Sequence, residues 1–154
     1  MSWYVSRIHR RLRACTGSSL LEAALILPLV LLVTFAIVEF SVIFCIYLAL
    51  ENGVSQATRY GVTGNQMPTL TRDASIMETM RQSTPVVTIL DSAFTFSHLP
   101  AGAANWQNGP GGPGDLEKVT VDYTWSIMTP LLQPLFPNGQ VHIQVASAMK
   151  NESF

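Results

Sequence analysis

One apolar stretch constrains this chain more than any other feature: from Ala23 to Leu50 the only charged residue is Glu39. As a helix, these 28 residues would extend about 42 Å, which exceeds the hydrocarbon core of a bilayer, about 30 Å. The stretch therefore predicts a membrane-spanning helix. Pro28 lies two turns inside it, where transmembrane helices tolerate a proline if neighbouring groups satisfy the freed carbonyl.

The charges on the two sides of this stretch differ. Residues 1–17 contain four arginines and no acidic residue, whereas residues 18–154 contain 10 acidic and 5 basic residues. Because arginine-rich flanks of a transmembrane helix stay in the cytoplasm, we expect residues 1–17 to form a basic cytoplasmic leader and the C-terminal part to lie on the opposite side. This topology explains the arginines more simply than nucleic-acid binding, so no nucleic-acid partner is predicted.

A basic tail before an apolar run is also typical of a cleaved signal peptide. The apolar run here is about twice as long as the usual hydrophobic region of about 7–15 residues, and it lacks a pair of small residues at its end. We therefore expect the helix to be retained. Cys15 and Cys45 lie in the leader and in the helix, so the exported part must fold without a disulfide.

Helical periodicity continues beyond the length of a membrane. It predicts one helix from about Ser19 to Tyr60 within an anchor segment of residues 18–61, with its last turns packed on a globular domain. A subunit interface is the alternative use of the same stripe. The residues that recur at spacings of three and four are Tyr47, Leu50, Val54, Ala57 and Gly61.

The remaining residues, 62–154, predict a small domain of the α+β class. A short amphipathic helix is expected from Thr71 to Gln82, capped by Thr69 or Thr71 and ending before Pro85, with Leu70, Ala74, Met77 and Arg81 at helical spacing. A strand is expected within 86–96, and alternating apolar residues predict two more strands at 119–127 and 141–149. The glycine-rich segment 101–114 predicts a loop. Together these elements form an antiparallel meander of about three or four strands with helices against one face.

The connection between the last two predicted strands contains Pro130, Pro134 and Pro137. Three prolines exclude a regular element there. Four residues of this connection are nevertheless apolar, and they either cover the sheet or touch the membrane surface. They are Leu131, Leu132, Leu135 and Phe136.

No pattern in the chain predicts catalysis, a metal site or a cofactor. His9, His98 and His142 are far apart in the sequence, and no cluster of Cys, His, Asp and Glu has the spacing of metal ligands. Ser18 and Ser19 have no histidine base nearby that would make either a nucleophile. We therefore predict a structural or assembly protein and not an enzyme.

Gly17 and Glu22 frame the start of the apolar stretch. A carboxylate is unfavourable inside a bilayer but less so near its surface, so Glu22 would either extend into the inner headgroup layer or have a specific partner. Cleavage between Gly17 and Ser18 would create such a partner, because it exposes a new α-amine. Glu22 would then neutralise that amine, its own or that of an adjacent subunit, and so set the register between helices.

Glu39 lies 17 residues beyond Glu22, which is about 25 Å along a helix. It is therefore expected near the outer edge of the hydrocarbon. Two interpretations remain open: the carboxylate extends outward to the headgroups, or it pairs with a partner helix of another protein in the membrane.

These residues together resemble a known family. Basic residues, then Gly17, four residues and Glu22 before an apolar helix are typical of type IV prepilin-like leaders. The segment LLEAALILPLVLLVTFAIVEF further resembles the TadE-like proteins of tight adherence (Flp-type, type IVb) pilus systems, which show Glu-x-Ala, a nearby proline and a second Glu-Phe pair. Here these are Glu22, Ala24, Pro28, Glu39 and Phe40. The resemblance extends to ATRYG at 57–61, VTVDY at 119–123 and KNESF at 150–154.

The resemblance implies a minor pseudopilin or anchored assembly component of the bacterial inner membrane, with residues 62–154 in the periplasm and a role in adherence and biofilm formation. Implied partners are other pilins or pseudopilins, the pilus assembly platform and a prepilin peptidase. Processed members often carry Glu-Tyr where this chain has Glu22 and Ala23, so cleavage and entry into the pilus stay open. The alternative is an unprocessed periplasmic binding or adhesion module that uses Trp106.

Overall fold

The computed structural model describes the backbone from residue 5 and the side chains from residue 18. The predictions for the leader arginines, His9 and Cys15 therefore concern side chains outside the described residues. Over the described part, the chain is of the α+β class, with one long helix, one short helix and a four-stranded antiparallel sheet.

The long helix, α1, runs without interruption from Val5 to Gly61, with Pro28 inside it. Its predicted C-terminal end near Tyr60 is confirmed, whereas its predicted start near Ser19 was wrong, because the helix begins at Val5. Two hydroxyls in its apolar part are satisfied by the helix itself. Thr34 Oγ1 donates to the Val30 carbonyl at 2.8 Å, and Ser41 Oγ donates to the Ile37 carbonyl at 2.7 Å. Neither hydroxyl therefore needs water or a partner helix for its hydrogen bond.

The short helix, α2, runs from Arg72 to Ser83. Thr71 is its N-cap, as one of the two predicted alternatives had it, and its side chain accepts a hydrogen bond from the Ala74 amide at 3.3 Å. The fully buried residues on this helix are Ser75, Ile76 and Met80. The buried face is therefore adjacent to the predicted stripe, which contained Ala74, Met77 and Arg81. Spacings of three and four are compatible with either face of a short helix.

The sheet contains β1 (Phe94–Leu99), β2 (Gln107–Asn108), β3 (Leu116–Ser126) and β4 (Gln140–Lys150) in the order β2-β1-β3-β4. The two long predicted strands are confirmed. The first predicted strand begins later, at Phe94, after a single 3₁₀ turn. The glycine-rich loop contributes the short edge strand β2, which pairs with β1. Because β3 then pairs with the other side of β1, the predicted meander was wrong.

The long strands β3 and β4 pair from Leu116↔Lys150 to Ser126↔Gln140. One face of this hairpin packs on α1 and α2 and forms the core. The completely buried side chains of α1 in this core include Leu50, Val54 and Ala57, as the helical stripe predicted. Tyr47 is 41% exposed and Ile46 is buried in its place. The residues buried from the other elements are Ile76, Met80, Val87, Ile89, Val119, Val121, Ile143 and Val145.

The hairpin lies along the C-terminal half of α1, and its strand β3 runs antiparallel to the helix. Trp125, near the end of β3, contacts Glu39, and Glu117, near its start, contacts the end of α1 at Gly61 through Arg72. Gly61 lies 22 residues beyond Glu39, which corresponds to about 33 Å of helix. The domain therefore covers α1 from Glu39 outward and leaves the preceding part of the helix bare.

Candidate functional site: the bare helix and its two carboxylates

The part of α1 that the domain does not cover is residues 20–38, which we call the bare segment. These 19 residues correspond to about 28 Å of helix, close to the hydrocarbon thickness of about 30 Å. Within Ser18–Gly61, α1 is long and apolar enough to cross a membrane. Large apolar side chains exposed on the bare segment are Leu20, Leu21, Leu25, Ile26, Leu27, Leu29, Val30, Leu31, Val33, Phe35, Ile37 and Val38.

Glu22 lies on the exposed surface near the N-terminal end of the bare segment. Ser18 Oγ donates to Glu22 Oε1 at 3.5 Å, so the two side chains share one face one turn apart. The direction of the contact is the expected one, because a side chain on a helix points toward the N-terminus. An α-amine created at Ser18 by cleavage would lie on this side of the carboxylate.

Gly17 lies within α1, just before the residues whose side chains are described. Pro28 lies in the bare segment. The structure therefore places Glu22, Pro28 and Glu39 along one apolar helix. It does not bring them together, because about 25 Å of helix separates the two carboxylates.

Glu39 is 4% exposed, although it belongs to an apolar helix. Its carboxylate accepts four hydrogen bonds from the end of the hairpin. Oε1 accepts from Trp125 Nε1 at 3.2 Å and from the Met128 amide at 3.0 Å. Oε2 accepts from the Thr129 amide at 3.1 Å and from Thr129 Oγ1 at 2.8 Å. We call Glu39 with these three donor residues the Glu39 clamp.

The Glu39 clamp differs from both interpretations based on sequence. The carboxylate neither extends outward to headgroups nor depends on a partner helix, because donors of its own chain surround it. Hydrogen bonds to a charged group are worth about 1.5–3 kcal/mol each, and four of them offset the cost of burying the carboxylate. The clamp thereby attaches the domain to α1 where the bare segment ends.

The loop after β3 is shaped to present these donors. Ile127 is buried, and its amide donates to the Gly139 carbonyl at 2.9 Å. Gln133 Nε2 donates to the Ile127 carbonyl at 3.0 Å. Beside the clamp, the Phe40 and Phe136 rings meet edge to face with centroids 6.4 Å apart. The three prolines predicted an irregular segment, and this segment packs against α1.

A second polar cluster lies at the other end of the hairpin, where α1, α2, β3 and the C-terminal residues meet. The Arg72 guanidinium donates to Glu117 Oε2 at 2.8 Å, to the Gly61 carbonyl at 2.9 Å and to the Gly111 carbonyl at 2.7 Å. The Phe154 ring lies 4.8 Å from the Arg72 guanidinium carbon. This cluster therefore joins four parts of the chain that are distant in sequence.

Glu117 is completely buried, and its Oε1 has no hydrogen-bond partner among the described residues. Burial raises the pKa of Glu117 to about 7, although the Arg72 guanidinium acts in the opposite direction. A Cβ added at Gly61 would lie 2.8 Å from Glu117 Oε1 and 2.9 Å from Ile76 Cδ1. A side chain at position 61 would therefore have to displace the ends of the Glu117 and Ile76 side chains.

Asn151 fastens the C-terminal residues to the same cluster. Its Nδ2 donates to the carbonyls of Pro110 and Gly112, at 3.1 and 2.9 Å, and its amide donates to the Asp115 carbonyl at 2.7 Å. The glycine-rich loop is thereby held against the end of the chain. The motif KNESF at 150–154 is visible in the sequence, but these contacts of Asn151 are not.

Nothing in the described part of the chain has the geometry of a metal centre: its His, Cys, Asp and Glu side chains form no group of three or more that could hold an ion. His98 Nδ1 lies 3.0 Å from the Gly109 carbonyl, and His142 Nδ1 lies 3.0 Å from Thr124 Oγ1. Both histidines are therefore engaged in separate, local hydrogen bonds.

A bare helix of bilayer length, attached by a buried carboxylate to one small α+β domain, is consistent with a protein anchored in a membrane by a single helix. The family model of TadE-like proteins matches residues 17–59, which include the bare segment and the Glu39 position. The chain is therefore similar to TadE-like proteins over this segment, which is less than half of its length. Neither curated proteins nor solved structures give a significant match. The resemblances at 119–123 and 150–154 lie outside the matched segment and stay predictions.

The matched segment ends two residues before Gly61. It therefore includes all of the helix that would cross a membrane, together with the part of α1 on which the domain packs.

Proposed function

We propose that this chain is a minor pseudopilin or membrane-anchored assembly component of a tight adherence pilus. The observation that carries the proposal is that the bare segment lies inside the segment matched by the TadE-like family. An apolar helix surface of this length has two possible neighbours, lipid and other apolar helices. During assembly, the bare segment would exchange its contacts with lipid for contacts with other apolar helices. The partners would be other pilins, pseudopilins or the assembly platform.

The proposed topology places residues 1–17 in the cytoplasm, residues 18–61 in and above the inner membrane and residues 62–154 in the periplasm. The charge asymmetry of the sequence supports this orientation, since the four leader arginines favour the cytoplasmic side. The absence of cysteine from residues 62–154 fits a domain that is held together by its core and its two polar clusters.

Processing between Gly17 and Ser18 is the second part of the proposal. The contact between Ser18 Oγ and Glu22 Oε1 supports it, because it shows that both residues share one helix face. Cleavage would remove all four leader arginines and leave a cationic amine within one turn of Glu22. The amine and the carboxylate would then neutralise each other at the edge of the bilayer, or across two adjacent subunits.

The Glu39 clamp connects the domain mechanically to α1 in this proposal. It holds the domain against α1 at the boundary of the bare segment, so that force or contact on the domain is transmitted to the helix. Pro28, Glu22 and Glu39 then act in assembly and register at three levels of the same helix.

Deletion of the gene in its native bacterium, followed by complementation, tests the function. Loss of surface pili by electron microscopy and reduced biofilm in the deletion strain, both restored by the wild-type gene, is the expected result. The control is a gene lacking residues 20–38, which cannot restore pili in this mechanism. Normal piliation in the deletion strain would contradict the proposal.

The alternative function, an unprocessed periplasmic binding or adhesion module, depended on Trp106. Its ring is 43% exposed, and Lys118 Nζ lies 4.9 Å from the ring centroid. This contact occupies one face of the indole within the chain, as expected for a cation–π pair that covers a loop. It does not favour a ligand site, so the assembly function remains the proposal.

A further inference from the structure

The end of the domain next to the bare segment carries no charged residue. Between Asp122 and Lys150 there is no Asp, Glu, Lys or Arg. Asp122 lies in the middle of β3, and the other charged residues of β3 and β4 lie at the opposite end of the hairpin, where Glu117, Lys118 and Lys150 are found. The hairpin is therefore polarised, with its uncharged end at the level of Glu39.

The loop from Ile127 to Phe136, which we call the apolar tip, exposes large apolar side chains at this uncharged end. Met128 is 69% exposed, Leu131 is 54% exposed and Leu135 is 70% exposed. Leu132, in contrast, is buried. The apolar residues of the loop therefore have both of the roles considered from the sequence: one covers the domain, and others lie on its surface.

Most backbone amides of the apolar tip are paired within the chain. Among residues 127–136, seven amides donate hydrogen bonds within the chain, and two further residues are prolines without an amide proton. An unpaired amide in an apolar medium costs several kcal/mol, which normally keeps loops out of lipid. The amides of the apolar tip avoid most of this cost.

The apolar tip is continuous with the bare segment. Phe35 of α1 and residues 128–131 of the tip line one groove of about 650 Å³. Phe35 lies four residues before Glu39, which is about 6 Å deeper along the helix. The groove therefore begins on a surface that faces lipid if α1 crosses the membrane.

From these observations we infer that the apolar tip inserts into the leaflet on the domain side of the membrane, with a lipid acyl chain in the groove beside Phe35. This inference depends on the membrane-spanning role of α1 in the proposed function. Insertion places the Glu39 clamp at the boundary between headgroups and acyl chains. The domain is then held at a fixed height and tilt by two contacts with the bilayer, the helix and the tip.

Site-directed fluorescence on the full chain in phosphatidylcholine vesicles tests the inference. Cys15 and Cys45 are replaced by serine, and single cysteines carrying the polarity-sensitive dye NBD are introduced by Leu131→Cys and by Leu135→Cys, each in its own protein. The matched control is Val86→Cys, because Val86 is 77% exposed but lies on the segment after α2. An Ile37→Cys label reports separately on the helix.

The expected result is blue-shifted emission at positions 131 and 135, quenching by lipids with a nitroxide near the headgroup end of the acyl chain, and loss of quenching by aqueous iodide. This corresponds to burial of about 5–10 Å into the interface. The label at 86 should show the reverse behaviour.

The inference would be overturned if iodide quenched the labels at 131 and 135 as strongly as the label at 86. If the label at 37 were protected in the same experiment, the membrane-spanning role of α1 would still hold. Protection of the tip that increases with the protein-to-lipid ratio would also overturn it, since a second copy would then cover the tip. Exposure of all four labels would contradict the membrane-spanning role itself.

Discussion

Glu39 and Trp125 are 86 residues apart in sequence, yet the Trp125 indole donates a hydrogen bond of 3.2 Å to the Glu39 carboxylate. This contact and its neighbours close the domain onto the helix at the point where the bare segment ends. The Glu39 carboxylate, which would be unfavourable in an apolar helix, therefore fixes the boundary between the bare segment and the part of α1 that the domain covers.

The first prediction concerns Glu39→Gln. The carboxylate accepts on both oxygens, whereas an amide places an NH₂ group against one pair of donors. At least one buried donor loses its partner, which costs about 1–3 kcal/mol. Hydrogen exchange of the Met128 and Thr129 amides should accelerate by about 5- to 150-fold if this free energy is lost from local opening.

Glu51→Gln is the matched control for this measurement, because Glu51 is an exposed carboxylate on the same helix. Exchange at Met128 and Thr129 should be unchanged in the control. Equal protection in Glu39→Gln and wild-type protein would show that the clamp does not hold the apolar tip.

The second prediction is a pH dependence caused by Glu117. Burial raises the pKa of Glu117 from 4.5 to about 7, so the folded chain binds a proton that the unfolded chain has released. The free energy of unfolding should therefore fall as pH rises from about 4.5 to about 7, by at most about 1.4 kcal/mol per pH unit, and then level off. Chemical denaturation in detergent at pH 5 and pH 7.5 measures this change.

Glu117→Gln separates this effect from other titrating groups, since glutamine resembles the protonated carboxyl and keeps an acceptor for Arg72. The slope between pH 5 and pH 7.5 should be smaller in this variant, and its stability at pH 7.5 should exceed that of the wild type. A wild-type stability that rises over this range, or equal slopes in both proteins, would refute the assignment.

The third prediction concerns processing between Gly17 and Ser18. When the chain is expressed with a matching prepilin peptidase, intact mass analysis should give a mature protein that starts at Ser18. Gly17→Val should block this cleavage by removing the small residue at the boundary. A wild-type chain that keeps its Met1 start under these conditions would remove processing from the proposal.

Local patterns predicted much of the fold. Thr71 is followed by a helical pattern of apolar residues, which predicted α2. The alternation from Val119 to Ile127 gives one buried and one solvent-exposed face, which predicted β3. The stripe on α1 was correct except at Tyr47, where Ile46 is buried instead. Spacings of three and four permit either residue, and only the sheet determines which one faces inward.

The contacts of the candidate site could not be predicted in this way. The Glu39 clamp uses two backbone amides, which have no signature in the sequence, and its donors are between 86 and 90 residues away. Arg72 and Glu117 are likewise 45 residues apart. In the sequence, Glu39, Arg72 and Glu117 are isolated charges with no visible partner. Only the packing of the hairpin along α1 brings each of them next to its partner.

The last prediction tests the central claim that α1 acts in assembly and does not only anchor the domain. Glu22→Val removes the carboxylate at the inner end of the bare segment and keeps the helix apolar, so membrane insertion should persist. Glu51→Gln, outside the bare segment, is the control. Surface pili are counted by electron microscopy after each variant replaces the wild-type gene. We predict near-complete loss of pili in Glu22→Val at normal membrane levels of the protein and normal piliation in Glu51→Gln. Normal piliation in Glu22→Val would contradict the claim.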